Sequence, residues 1–129
     1  MARSELIPDE LNPRIGEFFD MQEDLHRAHP EWGGFGPEQG IKQLLWLVGE
    51  LGEVIDIVKK APKEAYMCSG PTRDHLDEEV VDVLMYLIDY CHCVGITADE
   101  LAITYRQKHK YNMTRDFDAQ NKKKYGGND

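Results

Sequence analysis

The chain has 129 residues, enough for one domain with a real core, and its 24 Asp and Glu against 15 Lys and Arg give a formal net charge of −9. So acidic a chain repels nucleic acid, and no run of about 18 apolar residues offers a membrane span, so neither is an expected partner. The first 20 residues lack a cationic start followed by an apolar block, and Cys68, Cys91 and Cys93 are odd in number, which points to reduced thiols in the cytoplasm.

Asn12-Pro13 reads as a helix cap followed by proline at the first helical position. Leu11, Ile15, Phe18, Phe19, Gln22 and Leu25 then keep helical spacing until Pro30 closes the segment. Residues 31–36, EWGGFG, form an aromatic loop broken by glycine. Pro37 opens a second helix running to about Ala61, and residues 62–71 read as a linker. Thr72 is the expected cap of a third helix, which stops where Gly95 can turn left-handed. Thr97-Ala98-Asp99-Glu100 is a capping box, opening a fourth helix that fades near Phe117. The expectation is a single all-α domain over residues 1–118, a four-helix bundle, followed by a basic, disordered tail over 119–129.

Charge is divided along this order. Residues 101–129 hold seven Lys and Arg against three Asp, a net of +4, which leaves −13 on residues 1–100. An acidic body with a basic end suits a divalent cation beside a small polyanion, although a solvated acidic surface with a lysine tail has the same composition.

On a helical wheel the second helix turns Ile41, Leu44, Leu45, Leu47, Val48, Leu51, Val54, Ile55 and Val58 to one side. Glu38, Gln39, Lys42, Gln43, Trp46, Glu50, Glu53, Asp56, Ile57 and Lys60 take the other. A water-facing stripe seldom displays tryptophan, so a side mixing carboxylates, amides and an indole reads as the wall of a pocket. The third helix sets Leu76, Val80, Val81, Val83, Leu84, Leu87, Ile88, Cys91 and Val94 against His75, Glu78, Glu79, Asp82, Tyr86 and Asp89. Glu50 and Glu53, and likewise Glu79 and Asp82, lie three apart, so each pair shares a helix face. Four facing carboxylates repel one another unless a hard dication sits among them, and an all-oxygen shell suits Mg²⁺, Mn²⁺ or Ca²⁺. On the fourth helix Lys108, Asn112 and Arg115 fall at i, i+4 and i+7, one face able to hold phosphate oxygens.

GELGEVIDIVKK at 49–60, EEVVDVLMYLIDYCHCVGI at 78–96 and KHKYNMTR at 108–115 resemble the MazG-like all-α nucleoside triphosphate pyrophosphohydrolases. The resemblance covers about residues 37–115. It implies Mg²⁺-dependent hydrolysis of a nucleoside or deoxynucleoside triphosphate to the monophosphate and pyrophosphate, with Mn²⁺ as a substitute. Glu50, Glu53, Glu79 and Asp82 would hold the metal, and Glu50 or Glu53 would activate the attacking water. Lys108, Asn112 and Arg115, with Lys60, would hold phosphate and sugar. The GELGE form is similar to the branch containing dCTP pyrophosphatases, which makes Trp32, Phe35, Gln39, Gln43, Trp46 and Tyr86 candidates for the base. The chain departs from that branch at 38–42, EQGIK, where its usual His and Asn are missing.

Two other readings fit parts of the pattern. A carboxylate-bridged di-metal protein needs two Glu-x-x-His pairs, and Glu23 with His26 supplies one while Asp89 with His92 is a poor second. A non-catalytic helical interaction protein would leave the acidic stripes solvated. Apolar arcs near half a turn on both middle helices exceed what one neighbour covers, so a homodimer or homotetramer is expected.

Overall fold

A computed structural model describes residues 14–115 of the chain. All regular structure among them is helical: α1 (Ile15–Ala28), α2 (Gly40–Lys60), α3 (Lys63–Met67), α4 (Pro71–Val94) and α5 (Ala98–Thr114), with 3-10 turns at Pro30–Trp32 and Pro37–Gln39. The compact unit containing α1 to α4 ends at Ala98, and the described residues from Asp99 to Arg115 belong to a second unit.

Several boundaries differ from expectation for local reasons. Pro37 opens a 3-10 turn, and the α-helix proper begins at Gly40. Residues 62–71 are not all linker, because Lys63–Met67 makes a short helix tied to α4 through the Arg73 guanidinium, which donates to the Tyr66 carbonyl at 3.4 Å. Thr72 is not the cap of α4. Gly70, at φ 154°, takes the capping position and Pro71 the first turn, where its missing N–H costs nothing. Gly95 does close α4 in the left-handed conformation at φ 78°, with the Ile96 N–H bonded back to the Cys91 carbonyl at 2.9 Å. α2 stops at Ala61, which is extended because Pro62 follows, and Lys59 and Lys60 complement its C-terminal dipole. The Asn12-Pro13 start, the fade near Phe117 and the tail lie outside the described residues.

The first unit is organised on an antiparallel α2–α4 hairpin. Gly40 packs against α4, where a Cβ would meet the Tyr90 ring at 3.5 Å and Cys93 at 3.8 Å, ordinary contact distances. Further along, Trp46 stands 5.8 Å from Tyr86 ring to ring, and Glu50 meets Glu79 and Asp82. α1 crosses α4 through Phe19, Gln22 and His26, its buried residues at i, i+3 and i+7.

The inner face of the hairpin is the polar one. Gly40 and Gln43 are the buried residues of α2, with Leu47, Glu50, Val54 and Ile57 half-buried, whereas Ile41, Leu45, Val48, Leu51, Ile55 and Val58 are exposed, Val48 by 63%. On α4 Ile88, Asp89, Cys91 and Cys93 are buried while Val80, Val81, Leu84, Leu87 and Val94 are exposed. Much of the apolar side read from the wheels as core is therefore the outside of this protomer. In the second unit α5 buries no residue, and Ile103, Tyr105, Tyr111 and Met113 are exposed.

Candidate active site

Where α2 and α4 face one another, Glu50, Glu79 and Asp82 bring one carboxylate oxygen each within 4.8 Å of the others, all half-buried. Crowding and burial favour the protonated form of two of these groups. Glu50 is raised above its usual value by a hydrogen bond with Glu79, then by burial and by the Glu79 charge. Burial raises Asp82, helped by the charges of Glu50 and Glu78. Glu79 Oε2 is buried with no donor, and His75 Nδ1 approaches the other oxygen only to 3.8 Å. Glu53, the fourth expected carboxylate, is exposed and is not among these oxygens, because three residues along α2 it rotates toward solvent from where Glu50 points inward.

Beside the cluster lie two connected walls. A cavity of about 210 Å³ is bounded by Glu50, Asp82, Met85 and Gln22, together with Trp32, Tyr86 and Asp89. The last three also line a larger cavity of about 480 Å³, which continues past His26, Gln43 and Trp46 to Glu31 and Lys42. Carboxylates at one end and flat aromatic faces at the other give a cleft with a charged and an apolar half. Tyr86 joins them; burial raises its hydroxyl, with the charges of Glu50, Asp82 and Asp89 adding to the effect.

A buried polar network supports the apolar half. Gln22 Nε2 donates to Asp89 Oδ1 at 2.9 Å, and His26 Nε2 lies 3.1 Å from Asp89 Oδ2. The His26 ring packs on Phe35 at 4.1 Å and edge-on to Trp32 at 5.2 Å, and Trp32 stacks flat on His29 at 4.2 Å. These contacts fasten the 31–36 loop over the cavity, with Gly33 at φ 89° shaping the turn.

The expected base-binding residues divide. Trp32, Gln43, Trp46 and Tyr86 line the large cavity. Phe35 does not; it lies between the rings of His26 and His92. Gln39 does not either, its amide lying instead against Gly33. Lys60 pairs with Asp56 at 3.3 Å, ten residues along α2 from Glu50 and so about 15 Å away along the axis. In the second unit the Lys108 ammonium of α5 and the guanidinium of Arg115, just past its end, stand 5.5 and 5.7 Å from the Tyr111 ring, and Asn112 is half-buried. His26 is held by Asp89, and His92 lies 3.0 Å from the Phe19 carbonyl and 3.7 Å from Glu23, so neither histidine joins the Glu50, Glu79 and Asp82 oxygens.

His26, Asp89 and Lys42 line the large cavity although none of them was among the residues expected to hold the base. A signal existed, since Gln22 sits among the apolar positions of α1 and Asp89 extends the Glu79–Asp82–Tyr86 stripe of α4 by about one turn. A family model described as the MazG nucleotide pyrophosphohydrolase domain matches residues 39–112, more than half of the chain. No curated protein and no solved structure matches it.

Proposed function

The chain belongs to the MazG nucleotide pyrophosphohydrolase domain family, and from that premise we propose that it hydrolyses a nucleoside or deoxynucleoside triphosphate to the monophosphate and pyrophosphate, water attacking the α-phosphate. The observation that carries this reading is the meeting of Glu50, Glu79 and Asp82 beside an aromatic cleft. A triphosphate and its base need those two chemistries next to each other.

The oxygens present suit a hard divalent cation. Glu79 Oε2 is buried without a donor, and the crowding and burial that raise Glu50 and Asp82 are what a cation would offset. Mg²⁺, with Mn²⁺ as a substitute, supplies when bound the neutralisation of charge growing on the phosphate oxygens. Glu50, Glu79 and Asp82 are its holders. Glu53 is the fourth candidate and, lying outside the cluster, the better placed of the first pair to accept a proton from the attacking water. Lys108, Asn112 and Arg115 are assigned to phosphate and sugar, the two cations being drawn to one end of α5 around Tyr111. Trp32, Trp46 and Tyr86 offer their faces to the base.

The exposed stripes of α2 and α4 support a homodimer or homotetramer, in which these helices complete a four-helix bundle. Ile41, Leu45, Val48, Leu51, Ile55 and Val58 recur at intervals of three and four, the spacing of a helix–helix seam. Burying each such side chain contributes about 1.5–3 kcal/mol.

A panel of nucleoside triphosphates assayed for pyrophosphate with Mg²⁺ tests the proposal. Turnover on at least one nucleotide is expected, falling on the order of 10²-fold or more in Glu50→Gln. Wild-type turnover in that variant, with its helicity intact, would overturn it.

A further inference from the structure

The large cavity carries two polar atoms that the protein leaves unsatisfied. Gln43 is only 4% exposed, and its Oε1 has no hydrogen-bond partner. His26 is 7% exposed and its Nδ1 has none either. Both residues line the cavity, so the partners these atoms lack are expected from its occupant.

Their chemistry sets what that occupant must offer. Asp89 is a carboxylate and can only accept, so the His26 Nε2 facing Asp89 Oδ2 at 3.1 Å carries the hydrogen. In the neutral ring that leaves Nδ1 as an acceptor. Gln22, donating to the other Asp89 oxygen at 2.9 Å, fixes the carboxylate and through it the tautomer. Gln43 Oε1 is an acceptor as well. The buried wall thus presents two lone pairs and asks for N–H donors, while the Trp32, Trp46 and Tyr86 rings ask for a flat partner. Lys42, which is exposed, is the one Lys or Arg in this lining; the indole N–H groups of Trp32 and Trp46 and the Tyr86 hydroxyl belong to the aromatic walls, whereas Gln43 Oε1 and His26 Nδ1 are the buried atoms without partners.

We propose that this cavity selects a nucleobase bearing an exocyclic amino group, as in cytosine or adenine, through Gln43 Oε1 and His26 Nδ1, with Gln22 and Asp89 as positioning residues. The proposal rests on the reading of the chain as a nucleotide pyrophosphohydrolase and deepens it. A base with a carbonyl at the same place sets lone pair against lone pair and leaves two buried acceptors unpaired, the arrangement that discriminates most sharply between near-isosteric ligands.

The test uses matched pairs that differ at that group: dCTP against dUTP and dATP against dITP, with kcat/KM taken for each, and the corresponding monophosphates titrated by calorimetry. The amino member of a pair is expected to be preferred on the order of 10²-fold or more. Gln43→Leu should bring that ratio toward unity, and Gln43→Glu, which keeps an acceptor, should preserve a preference for the amino base. Asp89→Asn frees His26 to turn an N–H toward the cavity, and its loss of preference should appear in KM rather than kcat. A wild-type ratio near unity in both pairs overturns the proposal while leaving pyrophosphohydrolase activity standing. An unchanged ratio in Gln43→Leu overturns it as well. If no triphosphate is hydrolysed, the functional reading fails, and the monophosphate titrations still decide the base preference: the amino-base preference supports it, and equal or absent binding overturns it.

Discussion

The inner and outer faces of the α2–α4 hairpin invert the usual arrangement of a soluble helix pair. Inside, Gln43, Glu50, Glu79, Asp82 and Asp89 are buried or half-buried, and outside, a row of Ile, Leu and Val is open on both helices. The inner face crowds carboxylates so that Glu50 and Asp82 are raised, and it leaves oxygens without donors, which is unfavourable for folding alone. The outer face leaves out of its core the apolar area that would stabilise an isolated hairpin. The proposed ligand would relieve the first face, and the proposed contact between copies would cover the second. A site can carry such a penalty when the assembly around it supplies the stabilisation, which the exposed seam of α2 and α4 is suited to do.

Charging the outer face should break this arrangement most completely. The double substitution Val48→Asp and Leu84→Asp would place unpaired carboxylates in the proposed seam at several kcal/mol. The expected result is a monomer by light scattering and a sharply lower Tm. An unchanged mass and Tm would show that the apolar face is not a contact between copies.

Within the inner face, Glu79→Gln and Glu53→Gln separate the clustered oxygens from the exposed one. Glu79→Gln should weaken Mg²⁺ or Mn²⁺ binding, read by calorimetry, about 10–100-fold, by analogy with losses in metal-site support. Glu53→Gln should retain most of that affinity and lose turnover. Equal losses of metal affinity in the two variants would return Glu53 to the metal's own shell.

The smallest effect expected is one of pH. Glu50 and Asp82 are raised in the folded state, so the native chain binds protons more readily than the unfolded one. Their contribution favours folding below the ordinary values of 4.5 and 3.8 and is lost as pH rises through the raised ones. In chelator, the Tm of wild type relative to Glu50→Gln should therefore decline from low pH toward neutrality. Saturating Mg²⁺ should remove that decline, since the cation takes the place of the protons. A difference that grows with pH in chelator would contradict the crowding of these carboxylates.

The helical elements were legible because their signals are local. Pro62 ends α2 and Gly95 ends α4 through backbone restrictions that no distant residue alters. The 62–71 linker hid α3 because five residues are too few to show a period, and Pro71 displaced Thr72 as the start of α4 by occupying the first turn itself. The three-residue spacing in the Glu50 and Glu79 segments marked the carboxylates correctly as neighbours on their helices, yet only three of the four converge. Spacing places two side chains on one face without saying which of them looks across at the next helix.

What the sequence determined by itself is an all-helical chain, with two acidic stripes that also carry Trp46 and Tyr86, and a likeness to one family that its matching segment bears out. Only the tertiary structure decided that the polar sides of α2 and α4 turn toward each other, that Glu53 stays outside the cluster, and that Gln22, His26 and Asp89 come from two helices to form one buried network. The physical reason is one of range. Periodicity records which residues share a helix face, whereas the partner of each face is chosen by packing and charge between segments tens of residues apart, and here the apolar face, which a single chain would bury first, is the one left outward.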